Sequence, residues 1–245
     1  MSNRSIHTLL KSWDEECPLT REEAVEVLNL PEEEMDSLME CAYALRTKYK
    51  GKKVSVQLLT NVRSGNCTQN CAYCAQSKDS QAEIEKYKRV SDEKLYGDND
   101  LVDEKHLARH CIGLSGIGFS DEEIEDLADR IREMKKKDTQ ICCSIGFLTE
   151  KQARILKDAG LDRINHNLNS SRSFYPEICT THTYDQRVNN IKMLQSLGFE
   201  ICSGGIVGMG ESKEDIVDML MDLREINPES VPINFLLPIP GTRLA

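Results

Sequence analysis

Cys67-Thr68-Gln69-Asn70-Cys71-Ala72-Tyr73-Cys74 sets three cysteines at a C-x3-C-x2-C spacing, shortly after a run that reads as a strand over Val54–Leu59. A loop of this kind turns three thiolates toward one point. No fourth cysteine or histidine stands near enough to close a cage, since the next cysteine is Cys111. A structural zinc ion takes four nitrogen or sulfur ligands. Thiolates also suit iron–sulfur clusters, and a four-iron cluster on three cysteines leaves one iron open to a small molecule. On the residues alone, a zinc knuckle stands beside that reading.

Outward from the loop, the chain from Lys53 alternates short apolar strands with amphipathic helices, the rhythm of a parallel sheet. Strands are predicted near Val54–Leu59, Cys111–Ser115, Gln140–Gly146, Arg163–Asn169, Glu200–Val207 and Val231–Leu237. Six such units predict an α/β fold, a (β/α)-barrel of the TIM type. Helical spacing at Ile124, Leu127, Ala128, Ile131 and Met134 recurs in the later connections, and Ser120 and Ser212 are placed to cap two of them. Between the cysteine loop and Cys111, the run Lys94-Leu95-Tyr96-Gly97-Asp98-Asn99-Asp100 predicts only a short helical stretch around Glu104–Arg109.

Successive side chains of a strand point to opposite faces. Ile112 and Leu114 oppose Cys111, Gly113 and Ser115; Ile141, Cys143 and Ile145 oppose Gln140, Cys142 and Ser144; Ile164, His166 and Leu168 oppose Asn165, Asn167 and Asn169. The apolar faces belong under the helices, which turns the cysteine and asparagine faces into the lumen. A barrel interior is ordinarily filled by branched aliphatics. Unpartnered polar groups there cost a few kcal/mol each, so this lumen is predicted to hold something polar or metallic. Period two separates an adjacent pair: Cys142 faces inward, while Cys143, like Cys179, reads as a small hydrophobe.

Residues up to about Gly51 read as helical. Thr20-Arg21-Glu22-Glu23 has a capping-box pattern, and Pro31-Glu32-Glu33-Glu34 opens a helix whose Met35, Leu38, Met39, Ala42 and Leu45 are expected to pack on the main domain. Cys17 and Cys41 read as ordinary thiols. At 245 residues and 39% hydrophobic, the chain can build one substantial core. A net charge of -10 argues against nucleic acid, which needs clustered Lys and Arg. Without a long apolar run, and without an apolar core after Met1-Ser2-Asn3-Arg4, no membrane partner is expected and a soluble cytoplasmic protein is predicted. Ten cysteines at metal-like spacings fit a reducing compartment better than a disulfide scaffold.

The cysteine loop, with Tyr73 before its last cysteine, resembles the radical S-adenosylmethionine (SAM) superfamily. Asn165-His166-Asn167-Leu168-Asn169, Cys202-Ser203-Gly204-Gly205-Ile206-Val207-Gly208-Met209-Gly210-Glu211 and Pro228-Glu229-Ser230-Val231-Pro232-Ile233-Asn234 are similar to signature stretches of the biotin synthase family. The resemblance runs from about Val54 to Ala245. It implies a helical extension over residues 1–51 and a radical SAM barrel core over residues 52–245, with about six of eight βα units, a barrel truncated at its C-terminus.

By that resemblance, Cys67, Cys71 and Cys74 hold a 4Fe-4S cluster and SAM chelates its open iron. Tyr73 lies along the adenine, Asn167 and Asn169 reach the ribose, Arg187 pairs with the carboxylate, and Ile206 and Leu237 form apolar walls. A guanidinium suits a carboxylate and amides suit a diol, although Arg187 also fits a surface arginine on a helix, and Asn169 stands where the family usually has aspartate. The implied reaction inserts sulfur into dethiobiotin to give biotin. Cys111, Cys142 and Cys202 match the ligands of an auxiliary iron–sulfur cluster, 2Fe-2S in the family, whose fourth ligand is an arginine from the last strand. Asn165 and Asn234 match contacts to the ureido ring of the substrate. An electron donor protein and a homodimer are also implied. Another radical SAM enzyme of related sequence, or a non-catalytic metal-binding protein, stays open at this point.

Overall fold

The computed structural model describes residues 18–245, so the Cys17 thiol lies outside the described residues. Five parallel strands follow in chain order: β1 (Gln57–Arg63), β2 (Arg109–Leu114), β3 (Ile141–Ser144), β4 (Arg163–Asn165) and β5 (Glu200–Cys202). β6 (Gly205–Val207) pairs in parallel with β7 (Ile233–Phe235) in a second sheet. The strand predicted over Glu200–Val207 is therefore split at Ser203-Gly204. The two sheets stay joined across the break, because Asn169 bridges to Gly205 and Cys202 to Ser230. Gly204 explains how: a Cβ there would overlap the Pro232 carbonyl, and only glycine lets the two backbones approach so closely.

The helices that alternate with these strands make this an α/β fold of partial-barrel form: α3 (Asp92–Glu104), α4 (Asp121–Met134), α5 (Glu150–Asp158), the short α6 (Tyr175–Ile178), α7 (Tyr184–Ser196) and α8 (Lys213–Ile226). Ser120, Thr149, Thr183 and Ser212 each close a capping box at a helix start. The core lies where alternation put it. Ile112, Ile141, Cys143, Ile164 and Ile201 are fully buried against the likewise buried Ile124, Ile131, Leu156, Ile191 and Leu194. Burial of each such aliphatic contributes about 1.5–3 kcal/mol.

Two expectations are corrected. The crossover before β2 is a full helix, α3, and Glu104–Arg109 is instead its end and the lead into β2. Gly97, Asp98 and Asn99 are weak helix formers, but Ser91 caps the start, and Asp98 and Asn99 turn inward to bond Thr60, His110 and the Met134 carbonyl. Tertiary bonding outweighs propensity. In the N-terminal region, α1 (Arg21–Leu28), started by the Thr20 capping box, docks on α8 through the Arg21–Asp218 ion pair and a Lys213–Asn29 bond. The next helix, α2 (Met35–Lys50), fully buries none of its residues, and Met39 is 67% exposed, so its apolar stripe does not pack on the main domain. No helix among the described residues is long and apolar enough to cross a membrane.

Candidate active site

A cavity of about 270 Å³ opens at the C-terminal ends of the strands, the end where barrels of this type gather ligands. Cys67, Cys71, Tyr73 and Cys74 enter it from the loop after β1, and Asn165, His166, Asn167 and Asn169 from the end of β4. His182 and Arg187 come from α7 and the turn before it, Ile206 from β6 and Asn234 from β7.

The cysteine loop is irregular backbone and is held from outside. Ala72 N donates to the Ile178 carbonyl at 2.8 Å, and Asn70 Oδ1 accepts from Thr180 N and Thr181 N at 3.0 and 3.3 Å. Each bond contributes about 1 kcal/mol net. Together they bind the loop to the segment between α6 and α7. That segment brings Cys179 to 3.8 Å from the Cys71 sulfur, and His182 Nδ1 to 3.3 Å from the sulfur of Cys179. The hydrogen bond from Cys71 draws the Cys179 thiol down to about 3 against the effect of burial, and the same bond with burial pushes Cys71 well up. A metal that takes Cys71 takes it as the thiolate and displaces its proton. Burial also raises Cys74 and the Tyr73 phenol.

Arg187 is no surface arginine. It points inward from α7, with Nη1 on the Asn167 carbonyl at 3.1 Å, Nη2 on His182 Nε2 at 2.8 Å and Nε on the Tyr175 hydroxyl. Asn167 Oδ1 accepts from Gly204 N at 3.1 Å, and Asn169 sits at φ 72, a left-handed position that asparagine tolerates. Three buried atoms on the cavity wall make no well-formed hydrogen bond: Asn165 Oδ1 and both ring nitrogens of His166, whose pKa is pushed down to about 3 by burial and then by Arg187, against a weak pull from the Ile145 backbone. Such orphans cost about 1–3 kcal/mol each. A polar ligand in the cavity fits them, as three thiols on one wall fit an iron–sulfur cluster.

Below the cavity lies the lumen floor. Cys111, Cys142, Arg163 and Glu200 lie on one register line across β2 to β5, and Cys202 sits one step higher opposite Asn165. All three predicted floor cysteines thus share the lumen face. Cys111 and Cys142 are joined there as a disulfide, with Cα atoms 4.6 Å apart. Both become available to a metal only on reduction, which takes two electrons and two protons. Glu200 Oε2 is gripped by Arg109 and Arg163, each at 2.8 Å.

Leu237, expected as a cavity wall, is 78% exposed and does not line it, because it lies past the short β7, whose outer flank is unpaired among the described residues. His166, expected under the helices, lines the cavity instead, because β4 ends at Asn165 and alternation ends with it. Cys179 is no inert hydrophobe either. Nothing in the local sequence relates Cys179 or His182 to a cysteine loop about 110 residues earlier; the backbone bonds just described do so.

The sequence profile of the Radical SAM superfamily matches residues 61–223. A biotin synthase of Geobacillus kaustophilus is 42% identical over 228 residues, 93% of this chain and 68% of that protein. The biotin synthase of Bacillus subtilis strain 168 is 40% identical over 227 residues, 92% of this chain and 68% of that one. Among solved structures, methylornithine synthase superposes with a TM-score of 0.85 at 18% identity, covering 96% of this chain and 68% of its own. The FeFe-hydrogenase maturase HydG of Carboxydothermus hydrogenoformans gives 0.81 at 19%, covering 97% and 58%. At such identities the structural likeness speaks to the fold alone.

Proposed function

The chain belongs to the biotin synthase family of the radical SAM superfamily, and from that premise we propose that its barrel converts dethiobiotin to biotin by radical sulfur insertion. The observation that carries this reading is one cavity that collects three loop thiols, a part-buried, inward-pointing arginine and the asparagines of β4 and β7. Cys67, Cys71 and Cys74 would hold a 4Fe-4S cluster with SAM beside it. When bound, that pair supplies an adenosyl radical able to take hydrogen from an unactivated carbon.

The chain's own residues bind, orient and enclose. Arg187 is held on three sides yet keeps further donors for the carboxylate of SAM. Asn167 and Asn169 serve the ribose, Tyr73 the adenine and Ile206 its apolar side. Asn165, with its free Oδ1, and Asn234 take the paired N–H and C=O groups of the ureido ring. Cys111 and Cys142, once reduced, and Cys202 would hold an auxiliary cluster of the 2Fe-2S type, which would supply the sulfur. A protein electron donor, a homodimeric assembly and a reducing cytoplasm complete the proposal.

The test is anaerobic reconstitution of the full chain with iron, sulfide, SAM, reductant and dethiobiotin, followed by mass spectrometry. Both 5′-deoxyadenosine and biotin, or its thiolated precursor, are expected. Deoxyadenosine without any thiolated product leaves a radical SAM enzyme of another specificity. Metal uptake without SAM cleavage leaves a metal-binding protein.

A further inference from the structure

Cys179 and His182 stand against Cys71 at one side of the cavity; Cys179 has no part in the chemistry above, and His182 only braces Arg187 there. Among the described residues, these three form the one group of metal-ligating side chains whose donor atoms all lie within 4.8 Å of one another. The sulfurs are 3.8 Å apart, and His182 Nδ1 is 3.3 Å from the Cys179 sulfur. With metal–sulfur bonds of about 2.3 Å and metal–nitrogen bonds of about 2.0–2.1 Å, a tetrahedral ion spaces its ligands roughly 3.5–3.8 Å apart. The two separations at Cys179, 3.8 and 3.3 Å, nearly match that spacing before any ion arrives, and the third lies within 4.8 Å. Ligands of a four-iron cluster, by contrast, sit on separate irons and farther apart.

We propose that, in the chain without its cluster, Cys71, Cys179 and His182 Nδ1 bind a single divalent cation of the Zn2+ or Fe2+ class. Thiolate and imidazole are the ligand types that such ions prefer. Cys179 and His182 are buried. The Gln69 side-chain amide oxygen Oε1, 2.9 Å from His182 Nδ1, stands beside the position left for a fourth ligand. Beyond the ligands, the Tyr175 hydroxyl lies 2.9 Å from His182 Nε2, where a ligating histidine needs an acceptor for its second nitrogen. Uptake takes both sulfurs as thiolates, and with the metal on Nδ1 the ring carries its proton on Nε2, which becomes a donor. Arg187 Nη2, which now donates to Nε2, then loses that acceptor, so the ion and the present seat of Arg187 oppose each other. Since Cys71 cannot serve both, the ion and the four-iron cluster exclude one another. That exclusion rests on the family reading of Cys71, whereas the ion site does not.

The iron-free, thiol-reduced full chain, carrying Cys111→Ser, Cys142→Ser and Cys202→Ser to silence the floor, is titrated anaerobically with Co2+, whose thiolate charge-transfer absorption reports sulfur ligation. One equivalent is expected, unchanged by Cys67→Ser. In Cys179→Ser and His182→Gln it is weakened by more than the roughly 10–100-fold that loss of an outer-shell partner costs. In the unsubstituted chain, Zn2+ should shield Cys71 from alkylation while Cys67 and Cys74 stay reactive, a measurement that needs no variant to fold. Loss of Co2+ in Cys67→Ser with retention in Cys179→Ser, shielding of Cys67 and Cys74, or no bound equivalent would each overturn the proposal. A chain that binds Co2+ in this way but builds no cluster from iron and sulfide counts against the family reading and leaves the ion site standing.

Discussion

The rim of the cavity and the lumen floor beneath it are built by different means. On the floor, Cys111, Cys142, Arg163 and Glu200 follow one register line, so the ladder sets the face of every side chain, and the Cys111–Cys142 disulfide and the grip of Arg109 and Arg163 on Glu200 join groups the sheet has already brought together. On the rim, groups leave loops and strand ends and hold one another: Asn70 on the 180–181 backbone, Arg187 on Asn167 and His182. The floor inherits the stability of the sheet. The rim is set by its own bonds, so a substitution there acts locally on binding.

The largest expected effect separates the two. Cys71→Ala should abolish both SAM cleavage and sulfur insertion, whereas Cys202→Ala should abolish insertion while cleavage stays measurable. Deoxyadenosine and biotin assayed in one sample give both readings. Biotin from the Cys202→Ala chain would remove the floor from the chemistry and favour another source of sulfur.

Within the rim, Arg187→Ala takes a charged group from a largely enclosed site. Truncation of one partner of a buried charge pair costs about 2–5 kcal/mol, so SAM affinity in equilibrium dialysis should fall by about 30-fold or more. Arg187→Lys should recover only part, because an ammonium cannot reach Asn167, His182 and a carboxylate with one planar fork. Unchanged SAM affinity in Arg187→Ala would make the arginine a brace for His182 and Tyr175 alone.

Much of the floor was legible because period two is a property of the strand itself. Ile112, Cys143, Ile164 and Ile201 are buried under helices as alternation required, and the three floor cysteines face the lumen. Reading failed where backbone geometry stopped being periodic. His166 follows the last ladder residue of β4, α3 forms on inward bonds of Asp98 and Asn99, and the Glu200–Val207 strand breaks where Gly204 meets Pro232. The loop motif named its three cysteines, but their neighbours Cys179 and His182 lie about 110 residues away in sequence and are brought in by Asn70. The joining of Cys111 to Cys142 needs both cysteine positions and the register between two strands, and alternation supplies only the face.

Gly204 is the joint between the two regions, and its substitution should disturb both. A Cβ at this position meets a backbone carbonyl, which cannot swing aside as a side chain can. Overpacking costs about 1–3 kcal/mol and occasionally more, so Gly204→Ala should lower Tm by on the order of 10 °C. Gly118→Ala is the control, since a Cβ there meets nothing within 4 Å. Equal melting of the two variants would mean that the joint relaxes freely and that the rim does not depend on it.

The smallest effect compares one buried histidine from each region. His166 lies on the rim; His110 lies on β2, on the helix side of the floor, bonded to Thr60 and Asn99. Burial holds their pKa values down to about 3 and about 4. Above pH 6.5 both rings are neutral in the folded and unfolded chain alike and contribute no pH dependence. Below it the unfolded chain takes up protons that the folded chain refuses, so stability falls as pH drops, by about 1.4 kcal/mol per pH unit for each ring until its folded pKa is approached. His110→Gln and His166→Gln should each start lower at neutral pH, through lost packing, and then fall less steeply than the parent between about pH 6 and about pH 5. A cavity ligand that accepts a hydrogen bond from His166 favours its charged form and should flatten the rim's share alone. Flattening of the His110 share by the same ligand would mean that rim and floor respond as one unit, against the division drawn from their hydrogen bonding.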